Sequence, residues 1–177
     1  NKAWRVVRWL RTHVIGAVMT EKTNAMRLLE SAGIDYAIQT YPLDEGEINA
    51  ELVAELLEMA PEQIFKTLIV RGDRTGPMLV LAPAGTEIDL RALARYSGDK
   101  RVEMAPQREV WELTGYVRGA VTPLGIPHSY PVYIEETAML WEQIGISAGA
   151  KGIELILAPG DLVRITSAQM ADIARSI

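Results

Sequence analysis

Lys66 sits inside a run that otherwise reads as a buried strand, Phe65-Lys66-Thr67-Leu68-Ile69-Val70, with Pro61 before it and Gly72 after it. Aromatic and β-branched residues favour a pleated, half-buried surface. A lysine in such a run either carries its head to water along its aliphatic stem or meets an anion. The second arrangement places a cation on a rigid element, where it could hold a carboxylate or a phosphate. A second stretch, 119–125 (Gly-Ala-Val-Thr-Pro-Leu-Gly), sets Gly119 and Gly125 around Pro123. Glycine lets a ligand approach the backbone closely, and proline fixes the turn. Such a loop can aim backbone N–H groups at a developing negative charge, although the same pattern also makes an ordinary turn.

Other chemistries are excluded by what the chain lacks. It has 177 residues, no cysteine and two histidines, His13 and His128. That removes a disulfide scaffold, a cysteine nucleophile and a thiolate-held metal. With no clustered histidines, neither a protein-held zinc nor another cofactor is expected. His128, between Pro127 and Pro131, reads as an exposed turn residue. The net charge of −5 argues against a broad basic face for nucleic acid, while leaving room for a local contact with one phosphate. No apolar run is long enough to span a bilayer, so no membrane partner is expected and a cytoplasmic setting fits.

The elements that must position these residues follow from hydrophobic period and punctuation. A helix is expected over 23–32, capped by Thr23 and stopped by Gly33. A half-buried strand follows over 34–40 and ends at Tyr41-Pro42. The next helix, 48–59, turns Leu52, Val53, Leu56 and Leu57 inward and Glu51, Glu55 and Glu58 toward solvent. The Lys66 strand leads through a turn at 71–76 to a second strand over 77–82. The Arg-Gly-Asp triplet in that turn is turn chemistry rather than an adhesion signal. A helix is expected over 88–96, capped by Thr86 or Glu87, with Asp89, Arg91 and Arg95 on a solvated face. Then come a strand over 101–104 and a helix over 106–113. Further on, 131–135 and 153–157 read as strands and 141–146 as a strand or a helix. The chain closes with a short helix over 161–165 capped by Asp161 and a last helix over 167–175. Helices mixed with hairpins point to an α+β fold, a mixed, largely antiparallel sheet surrounded by helices. Residues 1–18 carry four basic residues, no acid and two of the four tryptophans. They read as a leader or appended segment before Met19, with 19–177 as one domain. A basic amphipathic segment that touches a membrane or RNA is the second reading.

Three motifs fall in one order: Phe65-Lys66-Thr67-Leu68; Gly119 with Pro123 and Gly125; and Ser147 in a glycine-rich turn ahead of Ile153-Glu154-Leu155. They are joined by Tyr41-Pro42, Val102-Glu103-Met104-Ala105, Leu157-Ala158-Pro159-Gly160-Asp161-Leu162 and Ala171-Asp172-Ile173-Ala174. Together, from about 23 to 174, the chain resembles the bacterial YbaK/EbsC-like family, free-standing relatives of the prolyl-tRNA synthetase editing domain. The resemblance implies that family's α+β fold and hydrolysis of the ester joining an amino acid to the tRNA 3′ adenosine. Its nearest branch removes Cys from tRNA(Pro). It implies catalytic roles for Lys66, as holder of the terminal phosphate, for Gly119, at the ester carbonyl, and for Ser147. It implies substrate contacts from Tyr41, Thr67, Thr122, Pro123, Gly125 and Glu154, the last standing where the Cys-specific branch has an aspartate. The implied partners are the aminoacylated 3′ end of tRNA and prolyl-tRNA synthetase.

An aminoacyl ester is already activated, so positioning and oxyanion stabilisation could suffice. With Cys, the resemblance implies attack by the substrate's own thiol. With Ala or Ser a bound water must attack, and Glu154 or a substrate hydroxyl is the base the sequence offers. The alternative from another class is a non-catalytic module that binds an aminoacyl or nucleotide group in the same pocket.

Overall fold

The computed structural model describes residues 21–43 and 46–177, so the 1–18 segment lies outside the described residues. Helix α1 (Asn24–Ser31) buries Ala25, Met26 and Leu29, and Thr23 Oγ1 accepts the Met26 N–H at 3.2 Å as its cap. After β1 (Ala37–Thr40) comes α2 (Ala50–Leu56), shorter at both ends than the pattern predicts. The Asn49 side chain caps its start, and Glu58, with φ of 53°, has left the helical region. The hairpin of β2 (Phe65–Gly72) and β3 (Gly76–Pro83) follows, pairing Phe65 with Pro83 through to Gly72 with Gly76.

The rest of the chain runs β4 (Thr86–Ile88), α3 (Leu90–Ser97), β5 (Val102–Met104), α4 (Val110–Thr114), β6 (Val132–Glu135), β7 (Ile144–Ser147), β8 (Ile153–Leu157), α5 (Pro159–Thr166), β9 (Gln169–Ala171) and β10 (Ala174–Ser176). One sheet has the order β5-β2-β3-β6-β9, with β2 antiparallel to both neighbours and β6 parallel to both of its own. A second, antiparallel sheet has the order β1-β8-β7. A bridge between Ile64 and Gly145 joins them. The architecture is α+β with mixed, mainly antiparallel pairing.

Alternation along β2 divides the core. Phe65 and Ile69 pack with Leu79, Leu81 and Ile134 against Met26, Leu29, Ile144, Ile146 and Leu155. Leu68 and Val70 face the other way, toward Met78, Val80 and the α3 residues Ala92 and Leu93. Each large side chain so buried contributes roughly 2 kcal/mol. Lys66 has the parity of Leu68 and Val70, which puts it on the α3 side of the sheet.

Several expectations are corrected. Residues 167–175 are not a helix: Ser167 closes α5 in the left-handed region, and the chain then pairs as β9 and β10. Glu135 Oε2 accepts the N–H groups of Ile173 and Ala174 at 2.8 and 2.7 Å, holding that segment extended. Neither Thr86 nor Glu87 caps the third helix. Both lie in β4, and Asp89 Oδ1 instead accepts the Arg91 and Ala92 N–H groups. Asp161 is no cap either: Ala158 holds that position, Pro159 starts α5, and Asp161 pairs with Arg164 at 2.7 Å. The ambiguous stretch at 141–146 resolves as strand over Ile144–Ser147.

Asp99 braces the β2–β3 turn. Its Oδ1 accepts the Arg74 and Thr75 N–H groups at 2.8 Å each, and Oδ2 accepts the Ser97 hydroxyl at 2.6 Å. Burial alone would raise its pKa, but these bonds hold it down at about 2. Its contribution to stability is therefore present above the ordinary carboxylate range and is lost as pH falls toward 2. Gly72 lies directly beneath, and a Cβ there would come 2.2 Å from Asp99 Oδ2. Gly72→Ala should lower the unfolding free energy by about 2 kcal/mol. Urea denaturation checks this, and an unchanged midpoint would show that Asp99 is free to move.

Candidate active site

The site begins on β8. Glu154 stands opposite Gln39 of β1 on one side and Ser147 of β7 on the other. Residues opposite one another in a sheet share a face, so these three line one surface while Leu155 and Leu157 enter the core behind it. Glu154 is only 5% exposed, and its Oε2 has no hydrogen-bond partner. Leaving a buried polar atom unpaired costs roughly 1–3 kcal/mol. Desolvation pushes its pKa up to about 8, so the carboxyl is largely neutral at pH 7.

Tyr41, Gly145 and Ile64 enclose that carboxyl. The buried Tyr41 is tied through its backbone N–H to the Gly152 carbonyl at 3.0 Å. Burial raises its pKa, partly offset by a hydrogen bond from the Gly152 backbone, and the Glu154 charge raises it further. Gly145 leaves space that Ile64 uses: a Cβ there would lie 2.6 Å from Ile64 Cδ1 and 3.6 Å from Glu154 Oε2. Ser147 Oγ accepts the Gly149 N–H at 3.2 Å, which shapes the turn at 147–152 and leaves Ser147 half-buried.

Lys66 and Gly119 lie on two further elements. Lys66 is half-buried, and its Nζ donates to the Thr86 carbonyl. Glu51 stands nearby. Burial would raise its pKa, but its own backbone, the Gly85 N–H at 2.7 Å and the Lys66 charge together lower it. Gly119 has φ of 84°, and the atoms nearest its missing Cβ are Lys151 Cε at 3.9 Å and the Ile48 carbonyl at 4.0 Å. The loop therefore reaches both the 147–152 turn and the chain leading into α2.

The other residues singled out from the sequence lie in different surroundings. Thr122 is fully buried and Pro123 is buried. Gly125, with φ of 77°, packs against α1 and Tyr116: a Cβ would lie 3.0 Å from the Tyr116 hydroxyl and 3.1 Å from Asn24 Cβ. Thr67 turns away from Lys66 to the opposite face of β2, where its buried Oγ1 is unpartnered. No direct contact joins Thr67, Thr122, Pro123 or Gly125 to Glu154 among the described interactions. His128 is exposed in its loop, its ring 5.8 Å from that of Tyr130. Among the described residues, no three His, Asp or Glu side chains gather as metal ligands do.

Sequence reasoning missed Glu51, Gly145 and Lys151. Glu51 sits among glutamates on a helix and looks solvated. Gly145 did carry a signal, since a glycine inside a strand marks close approach by a neighbour.

Residues 45–165 match the aminoacyl-tRNA editing domain family. Over 153 residues the chain is 39% identical to a candidate Cys-tRNA(Pro)/Cys-tRNA(Cys) deacylase, EbsC, of Enterococcus faecalis, covering 86% of this chain and 93% of that one. It is 29% identical to the multifunctional Ser/Thr-tRNA deacylase ProXp-y of Escherichia coli, over 84% of this chain and 90% of the relative. Among solved structures, a candidate trans-editing enzyme for prolyl-tRNA synthetase is similar, with a TM-score of 0.75, 26% identity, and coverage of 85% of this chain and 94% of that one.

The Glu154 environment sets a pH dependence of stability. A carboxyl whose pKa rises from 4.5 unfolded to about 8 folded binds its proton more tightly in the native state. Stability therefore falls as pH rises from 4.5 to about 8, by at most ~1.4 kcal/mol per unit. Glu154→Gln should flatten that decline and exceed the parent in melting temperature at pH 8.5. Parallel stability curves for the two proteins would show that the carboxyl is solvated.

Proposed function

The chain belongs to the aminoacyl-tRNA editing domain family, and on that premise we propose that it is a free-standing deacylase that removes Cys from tRNA(Pro). The observation that carries this reading is the partnerless Glu154 carboxyl, paired across the sheet with Ser147, beside Gly145 and close enough to Tyr41 for its charge to act on the phenol. A buried polar oxygen kept without a partner is a place prepared for a polar atom of a ligand. In this reading Tyr41, Ser147 and Glu154 surround the amino-acid side chain. The Gly119 N–H receives the ester carbonyl oxygen, and Lys66 holds the terminal phosphate. Thr67, Thr122, Pro123 and Gly125 keep the walls behind them in place.

The residues present need to do little beyond orienting the substrate. The Cys sulfur attacks the ester carbonyl carbon. A C–S bond forms, the C–O bond to the ribose breaks, and the ribose oxygen takes the thiol proton, releasing a thiolactone. A neutral Glu154 offers the sulfur one donor and one acceptor without opposing charge. Gly119 stabilises the oxyanion of the intermediate. Holding the thiol against its own carbonyl carbon makes the attack intramolecular and removes the entropic cost of bringing the two together.

A hydroxyl would satisfy Glu154 Oε2 as a thiol does, which makes Ser on tRNA the second reading. Alanine offers no such partner. With Ser a water must attack, and ionised Glu154 is then the base within reach of the site. The net charge of −5 supports a further part of the proposal: prolyl-tRNA synthetase, in the cytoplasm, presents the tRNA to a protein that grips it weakly by itself.

Deacylation of Cys-, Ser-, Ala- and Pro-tRNA(Pro) by the protein and its Lys66→Ala variant tests the reading. Cys should be released fastest, and the variant should lose about 100-fold or more in kcat/KM with an unchanged fold. Preference for Ser would keep the site and replace thiol attack by water. A folded protein that turns over none of the four would overturn the proposal.

A further inference from the structure

A second feature lies on the α3 side of the five-stranded sheet. Ile88, Asp89, Leu90, Arg91, Arg95 and Arg175 line an open cleft of about 550 Å³. Arg91 and Arg95 are four residues apart on α3 and therefore share a face; both are exposed. Neither makes a salt bridge with another described residue. Arg175 is fixed from β10 by Glu87, Nε to Oε1 at 2.9 Å. The Asp89 carboxylate is already committed to the first N–H groups of α3, Arg91 at 3.1 Å and Ala92 at 2.9 Å. Three guanidinium groups thus meet two carboxylates, Glu87 paired with Arg175 and Asp89 held by backbone N–H groups and acted on by the charges of Arg175 and Arg95, which leaves an excess of positive charge in a chain whose net charge is −5. Guanidinium forks match phosphate oxygens in pairs.

The cleft is joined to the candidate active site by one short strand. At one end of β4 the Thr86 carbonyl accepts the Lys66 ammonium, and at the other Ile88 lines the cleft. Two residue steps of extended chain separate those points, ~7 Å. We infer that the cleft is a second phosphate site, which takes backbone phosphates of the tRNA acceptor strand just before the terminal adenosine. It rests on the reading of Lys66 as the anchor of the terminal nucleotide.

The test compares the Arg91→Gln/Arg95→Gln pair and Arg175→Gln with the parent protein. Binding of an uncharged RNA hairpin with a single-stranded CCA end is measured between 50 and 200 mM salt, conditions under which phosphate contacts are resolved. The paired variant should bind about tenfold more weakly at the low-salt end, and its log–log salt slope should shrink by about one to two. With an acylated hairpin, KM should rise while kcat holds. With a 3′-aminoacyl-AMP, which has no upstream phosphates, kcat/KM should not change. Unchanged hairpin affinity and slope in every variant would overturn the inference and leave the cleft to an acidic protein surface. Equal loss on the minimal substrate would also overturn it, by showing that the arginines act through the fold. If the parent protein cleaves no ester at all, the deacylase reading fails, while the hairpin binding still decides the cleft.

Discussion

Ile64 places its Cδ1 in the space that any side chain at Gly145 would fill. That contact joins the two sheets, and much else depends on it. Two residues beyond Ile64, β2 presents Lys66, and diagonally across from Gly145, β8 presents Glu154, whose Oε2 would lie 3.6 Å from a Cβ at Gly145. The approach of the two sheets at this point is therefore set by backbone meeting side chain in a close-packed interior. Functional groups on strands locked in this way are held more precisely than groups on loops. The loop at 119–125 reaches the same region only because Gly125 presses against Tyr116 and α1, while the Tyr116 hydroxyl donates to the Leu124 carbonyl at 2.6 Å.

Two buried carboxyl groups show how the same chemistry is used in opposite ways. Asp99 receives hydrogen bonds from Ser97 and the backbone, which hold its pKa at about 2. Glu154 receives none at Oε2, and its pKa rises to about 8. The first adds to stability at neutral pH. The second subtracts from it, and no neighbouring donor relieves the loss. A sequence under selection for stability alone would replace such a group with an apolar one of similar volume. Its presence in the middle of the candidate site is what a binding role would explain.

The parts of the fold that local pattern decides were legible. The β2–β3 hairpin, α1 and β8 carry their period, caps and turn residues in adjacent positions. The C-terminal segment was not, because its state is decided at a distance. Pairing with β6 and β4, and the carboxyl of Glu135 on two of its N–H groups, outweigh a local pattern that suits a helix. The same applies to the cap of α3. Thr86 looks like a cap in sequence, but β10 recruits it into a strand and leaves the role to Asp89. In the site, Lys66, Gly119 and Ser147 stand out by residue type in an unexpected setting. Glu51 does not, since nothing about a glutamate on an acidic helix reports that the Gly85 N–H and Lys66 lie across from it.

The charge of Lys66 acts on nearby Glu51, and this bears on how an acidic protein could use RNA. A lysine that already donates to the Thr86 carbonyl, with a carboxylate near enough to feel its charge, attracts a phosphate less strongly than a free one. What it gains is position, since its long side chain has little freedom left to lose on binding. Such a cation discriminates geometry more than it supplies affinity. On the proposed reading, affinity must then come from elsewhere on the surface or from a second protein. The arginines of α3 and β10, two of them without any salt-bridge partner among the described residues, are the complement to that arrangement. On the proposed reading, a prepositioned lysine would select the chain end, and these guanidinium groups would retain the strand that leads to it.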